Sequence, residues 1–166
     1  MYLSPEQPLG IYPKEFLTLT LADSGPRVPY MDVALRFTRS RGLYTAIYDK
    51  RLDPKYDNVG VLRYPDVESL VSRQAKYGIV TSQMHRFMRL CMRLSDFVYN
   101  VGLVLYRMES KGYSSHQAYD KVASFLKRFP GIYGGGRSLH CWQRRFGQVV
   151  QRLRSGAIVP GPFGPR

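Results

Sequence analysis

Carboxylates are scarce in the second part of this 166-residue chain. Residues 71–166 contain sixteen Lys and Arg side chains against three acids, and no acid follows Asp120. Residues 1–70 hold nine of each sign, so the net charge of +13 comes from the second part. This imbalance predicts a polyanionic partner, because clustered cations repel one another unless anions meet them.

Cysteines and long apolar runs are also few. Cys91 and Cys141 are too few for a disulfide framework, and no stretch approaches the roughly 20 apolar residues of a membrane span. The N-terminus lacks the basic start and apolar run of a signal peptide. We expect an intracellular protein that is not secreted and binds no membrane, with nucleus, cytoplasm and organelle left open.

The patterns that catalytic centres need are missing as well. A polymerase holds two divalent ions with neighbouring carboxylates, and the chain has no Asp-Asp or Asp-x-Asp pair. Its three histidines and two cysteines show no paired spacing of metal ligands. Gly134-Gly135-Gly136 lacks the Gly-Lys-Ser/Thr ending of a phosphate-binding loop. We therefore expect no catalytic residue, no metal and no cofactor.

The hydrophobic pattern changes along the chain from a period of two to a helical period. The first part predicts strands over 16–21, 28–37 and 43–49, the last two joined in a hairpin with Gly42 at a positive φ. We expect an α+β fold in three segments. These are a β-rich segment (1–66), a three-helix bundle (67–130) and a Gly/Pro-containing basic tail with one helix (131–166).

Helix boundaries follow from the usual start and stop residues. After a short helix capped near Ser69, helices are predicted over 81–94, from an N-cap at Ser95 to Gly112, and from a Ser114–Gln117 capping box to Phe129. Residues 131–138 are predicted to be a flexible linker, and residues 160–166 an unstructured end.

The helix at 81–94 provides the first candidate binding surface. At 100° per residue, its Met and Phe side chains fall in one arc and Arg86, Arg89 and Arg93 in another. The arginine arc is either a solvated face or a contact for phosphates, and the lack of interleaved acids favours phosphates. The basic tail region adds further candidate contacts: Lys127, Arg128, Arg137, Arg144 and Arg145.

Seven short pieces, in order and similarly spaced over about residues 11–130, resemble the region after the catalytic motif of Penelope-like reverse transcriptases. The pieces are Ile11-Tyr12-Pro13 with Leu17-Thr18-Leu19, Tyr30-Met31-Asp32-Val33, Leu43–Arg51, Arg63–Ser69, Gly78–Phe87, Asp96-Phe97 with Lys111-Gly112-Tyr113, and Phe125–Phe129. Met31 departs from the Leu that the family usually has there.

The resemblance implies a palm edge followed by a thumb that lies along a template–primer duplex. By position it places Tyr48, Lys50 and Arg51 at the palm–thumb junction, and Gln83, Arg86 and Arg89 on the first thumb helix. The family's Tyr-x-Asp-Asp motif is absent. The leading hypothesis is a module that binds RNA or an RNA/DNA duplex and is catalytically incomplete alone.

Two alternatives stay open at this point. One is an RNA-binding structural subunit of a ribonucleoprotein such as a ribosome or mitochondrial ribosome, favoured by the acid-free segment from Lys121 to Arg166. The other is one part of a split RNA-directed DNA polymerase whose partner chain carries the catalytic palm.

Overall fold

A computed structural model describes residues 24–40, 42–56 and 64–165 of the chain. A three-stranded antiparallel sheet precedes a bundle of four helices, which confirms the predicted α+β class. The number of helices was wrong, because the helix assigned to the basic tail packs into the same core as the other three. The strand predicted at 16–21 lies outside the described residues.

The sheet has the strand order β1-β2-β3. Its strands are β1 (Arg27–Tyr30), β2 (Val33–Thr38) and β3 (Gly42–Ile47). The single strand predicted for 28–37 was wrong, since a two-residue turn at Met31 and Asp32 divides it and Tyr30 pairs with Val33. Met31 takes a φ of 54°, which a bulky residue rarely adopts. The sequence did not predict this turn, because it has neither the Gly nor the Asn that usually occupies such a position.

The hairpin between β2 and β3 is confirmed. Thr38 pairs with Gly42, whose φ of 69° is the positive value predicted for it. After β3, Asp49 precedes two short 3₁₀ turns, Lys50–Leu52 and Pro54–Tyr56.

The helices begin and end at different residues from those predicted. They are α1 (Arg73–Leu90), α2 (Leu94–Ser110), α3 (Ser115–Arg128) and α4 (Leu139–Arg154). Ser72, not Ser69, caps α1 by accepting a hydrogen bond from the Ala75 N–H. Arg93, not Ser95, is the N-cap residue of α2 and makes no side-chain cap. Ser95 therefore lies in the first turn of α2.

Two other helix ends test the cap predictions. Gly112, with a φ of 79°, ends α2 as predicted. The capping box of Ser114 and Gln117 does not form, because the Gln117 side chain accepts a hydrogen bond from Arg73 Nε at 2.9 Å. The Ser114 N–H donates to the Tyr77 hydroxyl instead. A tertiary contact between α1 and α3 thus replaces the local cap.

Contacts between side chains fix the direction of each helix. Arg73 meets Gln117 and His85 meets Phe125, so α1 and α3 run parallel. In the same way, Phe97 packs on Trp142 and Phe146, and Glu109 meets Arg154, so α2 and α4 run parallel. A short connection joins α1 to α2, and these two helices run antiparallel. The α1/α3 pair is therefore antiparallel to the α2/α4 pair. Phe97, Phe146, Met84 and Met108 are fully buried between them.

Two segments predicted as irregular are folded against the rest of the chain. Ile132 joins the helical core and the Tyr133 hydroxyl donates to the Cys91 carbonyl, so residues 131–138 are packed against the bundle. Residues 160–161 (β4) and 164–165 (β5) form a small hairpin. Its Pro162 carbonyl accepts the Asp49 N–H at 2.8 Å, and Phe163 packs on Tyr48. The prediction of an unstructured end was therefore wrong for residues 160–165.

The crossing of α2 and α4 requires a glycine at 102. A Cβ placed there would lie 2.6 Å from Val149 Cγ1. Gly102→Ala should lower the free energy of unfolding by about 1–2 kcal/mol, because overpacking outweighs the better helix propensity of alanine. Urea unfolding followed by circular dichroism measures this change.

Gly78 provides the matched control, since no atom lies within 4 Å of a Cβ built there. Gly78→Ala should raise the free energy of unfolding by about 0.5–1 kcal/mol. Val149→Ala should recover part of the loss in a Gly102→Ala background. Equal effects at the two glycines would contradict the close crossing.

Candidate nucleic-acid interface

Eight cations predicted from separate stretches of sequence lie at one end of the bundle. The C-termini of α1 and α3 meet the N-termini of α2 and α4 there, because the two helix pairs are antiparallel. The cations come from these four helix ends and the two connections between them. We call this surface the basic end, and its members are Arg86, Arg89, Arg93, Lys127, Arg128, Arg137, Arg144 and Arg145.

The α1 cations differ in their partners. Arg86 forms an ion pair with Asp32 of the β1–β2 turn at 3.0 Å, so it is not the unpaired arginine that the sequence suggested. Arg89, one helical turn later, is exposed. Within the described part of the chain, Arg86 is the one member of the basic end with a carboxylate within 4 Å.

Arg93 is not on the α1 helix, contrary to the predicted three-arginine arc. The helix ends at Leu90, and Arg93 turns towards the sheet, where it donates to the Tyr44 hydroxyl at 3.3 Å. Its guanidinium lies 5.2 Å from the centre of the Tyr44 ring, and that of Arg36 lies 6.0 Å from it. A tyrosine of the sheet thus contacts two arginines, one of which, Arg93, belongs to the basic end.

These arginines change the acidity of Tyr44. Burial alone would raise the pKa of the Tyr44 hydroxyl, but the hydrogen bonds and charges of Arg36 and Arg93 outweigh it and lower that pKa. Arg36 also lies 3.6 Å from Asp96, and burial raises the pKa of the Asp96 carboxyl. Arg36 Nε is buried without a hydrogen-bond partner.

The remaining cations come from α3, α4 and their connection. Lys127 and Arg128 are exposed in the last turn of α3, and Arg144 is exposed on α4. Arg145 is partly buried. Arg137 donates to the Tyr133 carbonyl at 2.8 Å, and its guanidinium packs over Trp142, which holds this charge in place.

Helix dipoles act in both directions at this end. Lys127, Arg128 and Arg89 lie where the C-termini of α3 and α1 concentrate partial negative charge, so part of their placement stabilises the helices themselves. The N-termini of α2 and α4 add partial positive charge, and α4 has no acid in its first turn. The N-terminus of α4 therefore favours an incoming anion, whereas Asp96 already occupies the first turn of α2.

Three predicted residues lie elsewhere. Lys50 and Arg51 are in the 3₁₀ turn after β3, where Arg51 pairs with Asp49 at 3.3 Å. Asp49 is buried and also pairs with Arg107, near the C-terminus of α2, so this turn faces the opposite end of the bundle. Gln83 is partly buried in the middle of α1.

Sequence reasoning missed Arg36 and Tyr44. Both lie in the predicted hairpin, and the register that pairs them follows from placing Gly42 in its turn. Side chains of directly paired strand residues share a face, so this neighbourhood was available from the sequence. The contact with Arg93 was not, because it depends on where α1 ends.

Neither a metal site nor a membrane-spanning helix is present in residues 24–40, 42–56 and 64–165. No group of three or more His, Cys, Asp or Glu side chains in these ranges is arranged to hold a metal ion. None of the helices described is long and apolar enough to cross a membrane. No protein-family model matches the chain, and no curated protein or solved structure matches it significantly.

The environment of Tyr44 can be measured by titrating the tyrosines in the near ultraviolet. Because Arg36 and Arg93 lower its pKa, Tyr44 should ionise before tyrosines of ordinary pKa near 10. Tyr44→Phe should remove this early phase, and Arg93→Gln should shift it to higher pH. An early phase that survives Tyr44→Phe would contradict the arrangement.

Proposed function

We propose that this chain binds the phosphate backbone of a nucleic-acid duplex, RNA or RNA/DNA, at its basic end. The observation that carries the proposal is the convergence of eight cations from four helix ends, seven of them without a carboxylate within 4 Å in the described part of the chain. Cations placed this way repel one another, and neutralisation by phosphates relieves that repulsion.

The dimensions suit a duplex backbone. Helix axes pack about 8–10 Å apart, so four helix ends spread their side chains over about 20 Å. Over that length a duplex presents about twelve phosphate charges. Flexible Lys and Arg side chains suit contacts to phosphates, which position a protein on a duplex without reading its sequence.

The order of elements supports a thumb-like module within this proposal. A small antiparallel sheet is followed by packed helices, which is the arrangement that the resemblance to reverse transcriptases implies. The acid-free segment after Lys121, which favoured a ribonucleoprotein subunit, is folded through residue 165 into α3, α4 and a hairpin. The described part of that segment supplies Lys127, Arg128, Arg137, Arg144 and Arg145 to the basic end, which supports duplex binding.

Removal of three exposed cations tests the surface. Arg89, Lys127 and Arg144 are exposed at the basic end, and their joint replacement by Gln should weaken binding to a short duplex RNA at low salt by at least about tenfold. The slope of log affinity against log salt should become shallower by about two to three, because each lost phosphate contact removes about 0.9. Fluorescence anisotropy across a salt series measures both quantities.

A variant with the same loss of charge serves as the control. Lys50, Lys55 and Arg152 are exposed away from the basic end, and their joint replacement by Gln should leave the salt slope nearly unchanged. Both variants should unfold at the same temperature as the parent protein. Equal losses of affinity in the two variants would mean that net charge, not the basic end, attracts the duplex.

Asp32 offers a gain-of-affinity test that misfolding cannot imitate. Its carboxylate is mostly exposed and engages Arg86, so Asp32→Asn should free one cation for phosphate contact. We expect duplex affinity to rise about two- to fivefold at low salt, and the salt slope to steepen by up to about 0.9. Unchanged binding would show that Arg86 lies outside the contact surface.

A further inference from the structure

One face of the sheet exposes large apolar side chains next to the basic end. The antiparallel register places Val28, Tyr30, Leu35, Phe37 and Leu43 on this face, which we call the open sheet face. Tyr30 is 62% exposed, Phe37 47% and Leu43 63%. Soluble proteins rarely leave a large contiguous group of apolar side chains exposed. Such a group therefore indicates a binding surface.

The helical bundle covers only part of this side of the sheet. Ile47, on the same face, is buried in the helical core, and the Thr45 hydroxyl donates to the Leu90 carbonyl at the end of α1. The Met92 N–H then donates to the Thr45 carbonyl at 3.1 Å, along the outer edge of β3. Met92 is 63% exposed and extends the apolar surface beyond the strand.

The α1–α2 connection joins the open sheet face to the basic end. Met92 borders the sheet, and the next residue, Arg93, belongs to the basic end, although its side chain contacts Tyr44 on the opposite face of the sheet. Arg86 reaches the β1–β2 turn beside Tyr30 through its ion pair with Asp32, and Arg89 lies one helical turn further along. A polyanion held at Arg86 would therefore pass beside Tyr30, at the end of the open sheet face nearest the basic end.

Two exposed aromatic rings on a sheet bordered by arginines suit unpaired bases. Stacking on aromatic side chains is tolerant of sequence, because every base has a π-face, and a nearby cationic groove holds the backbone. Phe37 lies four residues beyond Val33, the partner of Tyr30, so the two backbone positions are about 13 Å apart along the strand. Stacked bases are about 3.4 Å apart, so each ring can take its own base.

We propose that the open sheet face binds an unpaired strand that continues from the duplex, with Tyr30 and Phe37 stacking on its bases. This inference rests on the proposed function and adds a second class of contact to it. The basic end supplies the phosphate contacts, and the sheet supplies contacts to bases. The preferred ligand is then a duplex with a single-stranded extension.

The test compares a blunt duplex with the same duplex carrying a short single-stranded extension. For the parent protein, the extension should increase affinity about five- to tenfold. Phe37→Leu keeps an apolar side chain but removes the ring, so it should abolish most of this gain while leaving blunt-duplex affinity unchanged. Tyr30→Thr should act the same way, and Tyr30→Phe, which keeps the ring, should retain the gain.

Control variants distinguish stacking on these rings from a general effect of exposed apolar surface or of charge. Leu70 and Val159 are exposed apolar residues outside the open sheet face, and Leu70→Thr with Val159→Thr should preserve the gain. The basic-end triple variant should weaken both ligands and also preserve the ratio between them. If Phe37→Leu keeps the full gain, or the parent shows none, the inference fails.

Two further outcomes separate this inference from its premise. If the parent protein does not bind the blunt duplex but binds a free single strand through Phe37, the proposed function is wrong and the stacking surface is supported. If sedimentation shows a dimer that Phe37→Leu dissociates, and the extension gives no gain, the open sheet face joins two copies of the chain and the inference is overturned.

Discussion

Burial of α2 among the other three helices is the constraint on which the rest of the structure depends. Phe97 and Met108, near its two ends, are fully buried, and Gly102 lets it approach α4 closely. Once α2 is fixed, its neighbours must run in directions that bring four helix ends together. The collection of cations at the basic end is thus a product of apolar packing, which dominates folding energy, and not of attraction among the charged residues.

Most of the acids that form ion pairs in the described residues pair with arginines outside the basic end. Asp49 pairs with Arg51 and Arg107, while Glu109 pairs with Arg154. Burial raises the pKa of Asp96, and the Asp96 and Arg36 side chains are covered to the same extent, so this pair is largely shielded from solvent. Asp96 and Glu109, two of the three acids in residues 71–166, therefore pair with arginines that are not members of the basic end.

The sequence predicted the kinds of element better than their limits. Alternation and helical periodicity identified β2, β3 and the helices, and Gly42 and Gly112 carried their own conformational signals. The turn at Met31 has no such signal. The predicted Ser114–Gln117 capping box does not form, because the Gln117 side chain bonds to Arg73. Individual site cations were visible in sequence. Their convergence required helix directions, which only tertiary packing decides.

The hairpin at 160–165 has a consequence for how the chain folds. The hydrogen bond from the Asp49 N–H to the Pro162 carbonyl, with Phe163 on Tyr48, joins segments separated by the whole helical bundle. At the usual pace of translation, about 5–20 residues per second, this intervening stretch takes several seconds or more to synthesise. The sheet therefore remains uncovered by this hairpin while the helices are being synthesised. Contact between this hairpin and the sheet is therefore a late, long-range step in folding.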